Sequence, residues 1–457
     1  MIQTTRIRLR SREPIRKGGR YVLYWMQQSQ RTRFNPSLEL AISEANALGL
    51  PVLAAFGLTD GFPEANARHY HFMLQGLVQA ARNLAQRGVG FAVRRGSPEA
   101  VALELSQDAA LVVCDRGYLR IQRAWRKTLA QAIGCRLLQV EGDVVVPVET
   151  ASPKHEYAAR TLRPKLHRLW EDYVQPLEPI APERRAGEDL PRGDVDLDDL
   201  DAALAALDVD RSVRPVRRFR GGEDEAQRRL DAFLADGLTR YAEDRGRPEA
   251  HAASQLSPYL HFGQISPVDI ALRVRAAAAA GSADRAAYLE ELIVRRELAM
   301  NHALYEPQYD RYDCLPEWAR ATLAAQGDAP RPHLYDLETL EAGRTHDRYW
   351  NAAQLEMRAT GYMHNRLRMY WGKKILEWSP SPEEAWRRIL HLNNRYFLDG
   401  RDPNSYANVG WIFGLHDRPW GPRPVFGTVR SMGANSLKSF DAEAYVAEVE
   451  RLAAAEG

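Results

Sequence analysis

Residues 20–150 alternate between short apolar runs and amphipathic helical segments, and this alternation is the strongest constraint on the fold. The apolar runs are rich in β-branched and aromatic residues, as in YVLYW (21–25), PVLAAFGL (51–58) and ALVVCD (110–115). Such alternation is typical of a parallel sheet covered by helices on both faces. It predicts an α/β domain with a doubly wound parallel sheet over residues 1–150. The basic lead of about twenty residues is expected to be frayed at its start.

The second half of the chain has a different pattern. From residue 223 to residue 457 strand patterns almost vanish and helical segments follow one another. One example is SPEEAWRRILHLNNRYF (381–397). Ser381 is expected to cap this helix and Pro382 to occupy its first turn. This predicts an all-helical domain. Residues 151–222 contain many prolines and an acidic run, and they are expected to form an interdomain linker that crosses the surface.

Composition excludes several classes of protein. The three cysteines form no CxxC pair, so neither a zinc site nor a disulfide framework is expected. No window approaches eighteen uninterrupted apolar residues, and the N-terminus lacks the apolar run of a signal peptide, so we expect a cytoplasmic protein without membrane contact. A net charge of +2 requires any nucleic-acid site to concentrate its basic residues on one face.

The predicted sheet carries no GxGxxG or GxxxxGK[ST] motif, so it is not an obvious dinucleotide or P-loop domain. Ligands of such sheets bind at the carboxyl ends of the strands. Any ligand of this domain is therefore expected near residues 27–31 or 115–118.

Tryptophans concentrate between residues 344 and 411. Trp371 and Trp378 are seven residues apart, which places them about 10 Å apart along one helical face. Trp350 precedes them in a separate predicted helix, and Trp411 follows. The rings could form an ordinary core, or they could form a chain of oxidisable groups that leads to a redox cofactor. The residues alone leave both readings open.

Six motifs in order resemble one protein family. They are YVLYWMQQSQR (21–31), PKHEYAARTLRPK (153–165), LSPYLHFGQIS (256–266), EELIVRRE (290–297), YWGKKILEW (370–378) and LDGRDPNSYANVGW (398–411). The chain resembles the class II cyclobutane pyrimidine dimer photolyases of the photolyase and cryptochrome family, from about residue 20 to the C-terminus. The resemblance implies an enzyme that binds FAD in the helical domain and repairs UV-damaged DNA, double- or single-stranded, with light, acting as a monomer.

The resemblance leaves two points open. A second, light-harvesting chromophore could be a deazaflavin or a folate, or could be absent. The alternative function is that of a cryptochrome-like FAD photosensor without repair activity. A protein in which the tryptophans are only core would bind no flavin and would be colourless.

The resemblance also implies site residues for the cofactor. Arg368 and Asp399 correspond to a salt-bridged pair beside the flavin. Asn393 corresponds to an asparagine opposite flavin N5, although its neighbour Asn394 could hold that place. The residues implied to contact the diphosphate and ribityl region are Tyr241, Ser254, Leu256 and Ser257.

Electron entry is implied to run through Trp371 nearest the flavin, then Trp350, then Trp378 towards solvent, with Tyr370 and Tyr335 as auxiliaries. For the lesion, the resemblance implies stacking on Trp411, a soft contact from Met369 and a hydrogen bond with Glu291, chosen over Glu290. The arginines expected to meet DNA are Arg245, Arg418, Arg423 and Arg430. Val294 stands where related photolyases carry a second stacking tryptophan, so that half of an aromatic clamp is not expected here.

Overall fold

A computed structural model describes residues 2–456. Its N-terminal part contains one six-stranded sheet in the order β1-β6-β5-β2-β3-β4. The strands are β1 Ile7–Ser11, β2 Tyr21–Trp25, β3 Val52–Leu58, β4 Gly90–Arg95, β5 Ala109–Asp115 and β6 Arg136–Val140. Strands β2 to β6 pair in parallel, whereas β1 joins the edge antiparallel to β6.

Helices cover both faces of this sheet, as the alternation predicts. They are α1 Pro36–Leu48, α2 Ala67–Arg87, α3 Pro98–Leu105 and α4 Arg120–Ala132. Leu38 of α1 and Leu74 of α2 are buried on one face, and Val101 of α3 and Leu129 of α4 on the other. The fold-class prediction is therefore confirmed, with the addition of one antiparallel edge strand.

The expectation of a frayed N-terminal lead is wrong. Its first part forms β1, and the Arg6 guanidinium beside it is buried and donates to the carbonyl oxygens of Glu141, Val144 and Val145 at 2.6 to 3.1 Å. Hydrogen bonds from a buried guanidinium hold the lead against the chain that follows β6.

Residues 151–222 are more than a surface connector. This segment follows α5 Val148–Ala151 and contains α6 Ala159–Tyr173 and α7 Leu200–Ala205. Leu162 and Leu166 of α6 are fully buried in the core of the helical part. The acidic run around residues 182–201 is mostly exposed, in agreement with its composition.

The helical part follows. Its helices are α8 Glu223–Ala235, α9 Tyr241–Asp244, α10 Ser257–His261, α11 Pro267–Ala276, α12 Ser282–Leu289, α13 Arg296–Tyr305, α14 Glu317–Ala324, α15 Leu337–Ala342, α16 Arg348–Thr360, α17 Asn365–Glu377, α18 Pro382–Tyr396, α19 Pro403–Ile412 and α20 Ala442–Glu456. They enclose two apolar cores, one built mainly from α6 and α8–α13 and the other from α14–α20. No helix within residues 2–456 is both long and apolar enough to cross a bilayer.

Local signals start the helices that carry the tryptophans. The side chains of Asp347, Ser381 and Asp402 accept hydrogen bonds from the first free backbone N–H groups of α16, α18 and α19. The predicted start of α18 at Ser381 and Pro382 is confirmed. These caps fix where each helix begins, and therefore which of its side chains face the centre of the domain.

Polar contacts join the sheet to the helical part. Arg31, from the first motif, donates to the carbonyl oxygens of Gly263 and Gly142, both at 2.9 Å. Gly263 has a φ of +64°, and a Cβ there would lie 1.9 Å from the carbonyl oxygen of Gln28. Only glycine therefore fits at position 263, where the backbone of the helical part lies against that of the sheet domain.

Candidate active site

A cavity of about 920 Å³ opens in the helical part. Helices α9, α10, α12, α17 and α19 contribute to its walls, together with the loop that contains Trp420 and Arg430. Most of the site residues expected from the sequence line it: Tyr241, Arg245, Ser254, Leu256, Ser257, Glu291, Arg368, Met369, Asp399, Trp411, Arg423 and Arg430. Five do not line it: Asn393, Arg418, Trp350, Trp371 and Trp378.

A buried ion pair occupies one wall of the cavity. The two terminal nitrogens of Arg368 each donate to one oxygen of Asp399 at 3.0 Å, and Nε donates to the carbonyl oxygen of Met363 at 3.0 Å. The guanidinium carbon lies 3.9 Å from the ring centre of Phe397. Three of the five N–H groups of the guanidinium are thus engaged by protein oxygens, and its positive charge is held in place.

The two asparagines of α18 have different surroundings. Asn394 is fully buried; its Nδ2 donates to Glu64, and its Oδ1 accepts from the Arg401 backbone at 3.0 Å and from Asn393 Nδ2 at 3.0 Å. Because both ends of its amide are engaged by protein, Asn394 has a structural role. This favours Asn393 over Asn394 for any cofactor contact, although Asn393 lies behind the cavity wall.

Glu290 and Glu291 point in different directions, as neighbouring residues of any helix do, and here they lie in the π-helical turns Glu290–Arg295. Glu290 binds Arg163 through two hydrogen bonds of 2.7 and 3.0 Å, whereas Glu291 lines the cavity and binds Arg245 at 2.8 Å. The choice of Glu291 therefore agrees with the geometry. Val294, in the same turns, is fully buried in the core and has no surface in the cavity.

Two tryptophans form the outer wall. Trp411, on α19, and Trp420, in the following loop, both line the cavity, and the Arg430 guanidinium lies 5.5 Å from the first ring and 3.9 Å from the second. Arg418 contacts the Trp420 ring at 5.0 Å from outside the cavity. A pair of aromatic rings at one mouth suits flat, apolar ligand surfaces such as bases.

A lysine lies beneath this wall. Lys373 of α17 is fully buried, its Nζ donates to the carbonyl oxygen of Ile412, and it lies 5.0 Å from the centre of the Trp411 ring. Burial lowers the pKa of Lys373 to about 7. The ammonium group is thus placed at the C-terminal end of α19, where cations are favoured.

The other three tryptophans form a connected series behind the cavity. Trp371 lies 6.4 Å from Phe397, which contacts Arg368 of the cavity wall. Trp350 Nε1 donates to the carbonyl oxygen of Trp371 at 3.0 Å, and the rings of Trp350 and Trp378 are 5.6 Å apart. The series therefore runs in the expected order.

Trp378, the tryptophan expected towards solvent, is itself buried. Its side chain is 1% exposed, because Tyr335 and His346 pack over it at ring distances of 5.4 and 5.2 Å. Trp378 is also the residue that follows α17 and not a member of the helix. Solvent is reached only through the residues that cover it.

Comparisons with known proteins agree with this geometry. A family model described as DNA photolyase matches residues 22–183. A deoxyribodipyrimidine photo-lyase of Methanothermobacter thermautotrophicus is 46% identical over 99% of this chain and 99% of its own length. The chain belongs to the DNA photolyase family. The resemblance read from the six motifs is thereby confirmed.

Two further comparisons extend this family assignment. A deoxyribodipyrimidine photo-lyase of Oryza sativa subsp. japonica is 40% identical over 96% of this chain and 89% of its own length. The crystal structure of a class III photolyase from Agrobacterium tumefaciens has the same fold, with a TM-score of 0.73, 22% identity and coverage of 94% of this chain and 86% of the other. The photolyase fold therefore extends over nearly all of the chain.

The residues of this photolyase cavity fit FAD. A volume of about 920 Å³ is in the range of pockets that enclose large cofactors. Hydroxyl groups of Ser254 and Ser257 and the guanidinium of Arg366 line it beside apolar rings. An anionic dinucleotide supplies the acceptors that such donors require.

A second, smaller cavity of about 110 Å³ lies between the photolyase sheet and the helical part. Gln27, Gln28, Tyr118 and Trp125 are among its lining residues, so it lies at the predicted carboxyl ends of the strands. Asp115 has another role: its carboxylate accepts backbone N–H groups of residues 27–29 at 2.9 to 3.1 Å. Asp115 therefore shapes the wall and does not line the cavity.

Trp420 and Lys373 were missed by sequence reasoning. Trp420 lies in the run DRPWGPRP (417–424), which has no periodicity from which its direction could be read. Lys373 is adjacent to Lys374 in a helix, where a solvated pair of lysines is the ordinary expectation. The only sequence signal for Trp420 was the concentration of aromatic and basic residues in the run 417–424.

Proposed function

We propose that this protein repairs cyclobutane pyrimidine dimers in DNA with light, as a class II photolyase. The observation that carries the proposal is one cavity that joins the buried Arg368–Asp399 pair to the rings of Trp411 and Trp420. When bound in its reduced form, FAD supplies the electron that splits the dimer on excitation and takes it back afterwards. The protein's own residues bind and orient the cofactor and the dimer, and they exclude water from both.

The inner part of the cavity would hold FAD. Ser254 and Ser257 would donate to the diphosphate, with Leu256 and Tyr241 against the ribityl chain. The Arg368 guanidinium, held by Asp399, would place its positive charge beside the isoalloxazine, where it stabilises added negative charge. Asn393, which does not line the cavity, would contact the isoalloxazine only if the cavity wall rearranged.

The outer part would hold the dimer. A dimer stacks poorly in the duplex, so moving it out into a pocket costs less than moving intact bases. Trp411 and Trp420 would stack on its rings, and Met369 would contact it from α17. Glu291 would accept or donate a hydrogen bond at a dimer carbonyl, on condition that Arg245 leaves their 2.8 Å contact. Arg245, once released, would fill the gap left in the duplex.

Arginines at the mouth would neutralise phosphates. Arg423 lines the cavity, and Arg418 stands beside Trp420 at the rim. Arg430 is already paired with Asp417 at 3.0 Å, so it would act mainly by holding the two tryptophan rings. This set supports binding of damaged DNA through its phosphates, and we expect the protein to bind it double- or single-stranded, as a monomer, in the cytoplasm.

Trp371, Trp350 and Trp378 would bring electrons to the oxidised cofactor. Their hydrogen-bonded and ring-to-ring contacts support this role, because they run from Phe397 through Trp371 and Trp350 to Trp378, over which Tyr335 and His346 pack. The smaller cavity at the carboxyl ends of β2 and β3 is the candidate place for a second chromophore, a deazaflavin or a folate. Its aromatic and amide lining suits a planar ring, but its volume of about 110 Å³ is below the range of cofactor pockets, so the cavity would have to widen to hold either chromophore.

Repair of a thymine-dimer oligonucleotide tests the proposal. Flavin-loaded, chemically reduced protein should restore intact thymines under blue light and not in a dark control. Trp411→Ala should lower repair at limiting enzyme, whereas Trp386→Phe, a buried tryptophan away from the cavity, should not. Flavin-loaded protein that shows no light-dependent repair would contradict the proposal and favour the photosensor alternative.

A further inference from the structure

A buried lysine lies directly beneath the wall on which we place the dimer. Lys373 is 0% exposed and does not line the cavity, whereas Trp411 lines it, and the Lys373 Nζ lies 5.0 Å from the centre of the Trp411 ring. The Lys373 nitrogen is therefore on the protein side of the ring, and a ligand in the cavity would be on the other side. A positive charge in this position is attracted to the face of the indole.

Close packing of two helices holds Lys373 in this place. Its neighbour in α17, Gly372, lies against Ile412, the last residue of α19, and a Cβ at position 372 would lie 2.1 Å from the Ile412 Cδ1. The Lys373 Nζ donates to the carbonyl oxygen of Ile412. The lysine is thus fixed to the residue that directly follows Trp411.

The acceptor that Lys373 contacts is a neutral carbonyl oxygen and not a carboxylate. The adjacent Lys374, by contrast, binds Glu377 at 2.7 Å. Two charged groups from the loop after α19 act on Lys373: Asp417 favours its charged form and Arg430 opposes it. Because Asp417 is engaged by Arg430 at 3.0 Å, the opposite charge of the arginine offsets much of its attraction for the lysine.

Lys373 is therefore close to the balance between its charged and its neutral form. Burial, the largest influence, lowers the pKa of Lys373 to about 7. Additional negative charge nearby would favour the ammonium form. A DNA phosphate at the cavity rim supplies such charge, and a phosphate that binds Arg430 would also weaken the hold of that arginine on Asp417.

We propose that Lys373 takes up a proton when dimer-containing DNA binds, so that a positive charge comes to lie beneath the Trp411 ring on which the dimer stacks. The proton comes from the buffered solvent and joins the lone pair of the amine nitrogen, and no bond to DNA forms. The hydrogen bond to Ile412 persists, because an amine and an ammonium group can both donate. Lys373 is a positioning residue, since it acts on the dimer through Trp411. This inference rests on the proposed function.

The positive charge would stabilise the bound dimer. A fixed cation in a pocket from which water is excluded interacts more strongly with negative charge than the same cation in water. The dimer carries the phosphate that joins its two nucleotides, and it accepts an electron during repair. Both negative charges favour an ammonium group beneath the Trp411 ring over a neutral amine.

The dependence of affinity on pH tests the proposal. The Kd of the flavin-loaded protein for an oligonucleotide with one thymine dimer is measured in the dark, at constant ionic strength, between about pH 6 and pH 9. Above the pKa of the free protein the complex holds more protons, so affinity should fall as the pH rises through 7, by at most about tenfold per pH unit for one proton. The same oligonucleotide without a dimer should show a smaller dependence.

Two lysine variants separate proton uptake from packing. Lys373→Met removes the titrating group, so its affinity for the dimer should approach that of wild type near pH 9 and fall severalfold below it near pH 6.5. Lys374→Met is the matched control, because Lys374 lies over the rings of Tyr370 and Trp378 and not over Trp411. It should keep the wild-type pH dependence. A difference between wild type and Lys373→Met that is equal at every pH would show a packing role alone and overturn the proposal.

Calorimetry counts the protons directly. The enthalpy of binding the dimer oligonucleotide is measured at pH 8 in two buffers with different ionisation enthalpies, and the difference gives the number of protons taken up. Wild type and Lys374→Met should take up more protons than Lys373→Met. Equal uptake by wild type and Lys373→Met would overturn the proposal even if their affinities differ.

Failure of this inference can be distinguished from failure of the proposed function. Light-dependent repair by wild type, with equal proton uptake in wild type and Lys373→Met, would overturn the inference alone. Proton uptake that depends on Lys373, without light-dependent repair, would contradict the proposed function and leave the inference standing. Flavin content and the thermal transition of each variant, measured at each pH, show that the compared proteins are folded.

Discussion

The indole nitrogen of Trp350 donates a hydrogen bond to the backbone carbonyl oxygen of Trp371, 3.0 Å away. The indole of Trp371 is held in the same manner by Gln354 Oε1 at 2.8 Å. Both acceptors are neutral oxygens that do not take up a proton at physiological pH. An oxidised Trp350 or Trp371 would therefore keep its positive charge.

Replacing Trp371 tests the inner end of the path. Trp371→Phe removes the ring that connects Phe397 to Trp350, and phenylalanine is much harder to oxidise. We expect the rate at which blue light reduces bound FAD, in the presence of a thiol, to fall at least roughly tenfold, the effect of about 1.4 kcal/mol on a barrier. The measurement is the loss of the oxidised flavin band with time of illumination.

The control for this prediction is Trp386→Phe. Trp386 is buried in the same core and packs against Phe413 rather than against the series. Its replacement should leave the photoreduction rate within a factor of two. Equal rates in wild type and Trp371→Phe, at equal flavin content, would remove Trp371 from the path.

Asp399→Asn tests the ion pair. Loss of the carboxylate charge leaves the Arg368 guanidinium, 14% exposed, without its counterion. Removing one partner of a buried pair typically costs about 3–5 kcal/mol. We expect the free energy of unfolding, measured by denaturant titration of the flavin-loaded protein, to fall by an amount of that order.

Asp310 provides a matched control for Asp399. It also binds an arginine through two hydrogen bonds, to Arg120 at 2.7 and 2.9 Å, but that arginine side chain is 51% exposed. Asp310→Asn should lower the free energy of unfolding by less than about 1 kcal/mol, because exposed ion pairs contribute little to stability. Equal losses in the two variants would show that burial of the Arg368 pair does not determine its contribution.

Much of this architecture could be predicted because it depends on local periodicity. The strand–helix alternation and the cap at Ser381 were readable for this reason. Strand β1 was not, because Arg6 is held by carbonyl groups more than a hundred residues away. The burial of Trp378 likewise depends on Tyr335 and His346, which precede it by tens of residues and reach it only in the folded chain.

The candidate site likewise has a part that could be predicted from the sequence and a part that could not. The Arg368–Asp399 pair and the series of tryptophans lie in motifs whose order carries the family resemblance. Trp420 lies in a loop, where no period predicts which way a side chain points. Val294 left one ring of the clamp unassigned, and the sequence did not show that Trp420 stands on the cavity wall.

Truncating the outer wall should weaken binding of damaged DNA. Trp411→Ala and Trp420→Ala should each reduce the affinity for an oligonucleotide with one dimer by about 1–3 kcal/mol, the usual effect of losing one base-stacking ring. Affinity for the undamaged oligonucleotide should change much less, since phosphate contacts remain. A Trp420→Ala variant with wild-type Kd would exclude that ring from the lesion site.

Lys373 should make stability depend on pH in a defined direction. Its pKa of about 7 in the folded protein is below the ordinary value of 10.5. Between these values the unfolded chain binds more protons than the native state at this site. Linkage then requires the free energy of unfolding to increase with pH across the window, by at most about 1.4 kcal/mol per pH unit for one group.

The variant Lys373→Met isolates this contribution, because methionine fills a similar volume without a charge. Denaturant titrations of wild type and variant at several pH values between 7 and 9 give the comparison. The advantage of the variant should be largest near pH 7 and should shrink as the pH rises, since wild-type Lys373 loses its buried charge. Parallel pH curves for wild type and Lys373→Met would show that Lys373 does not titrate beneath Trp411.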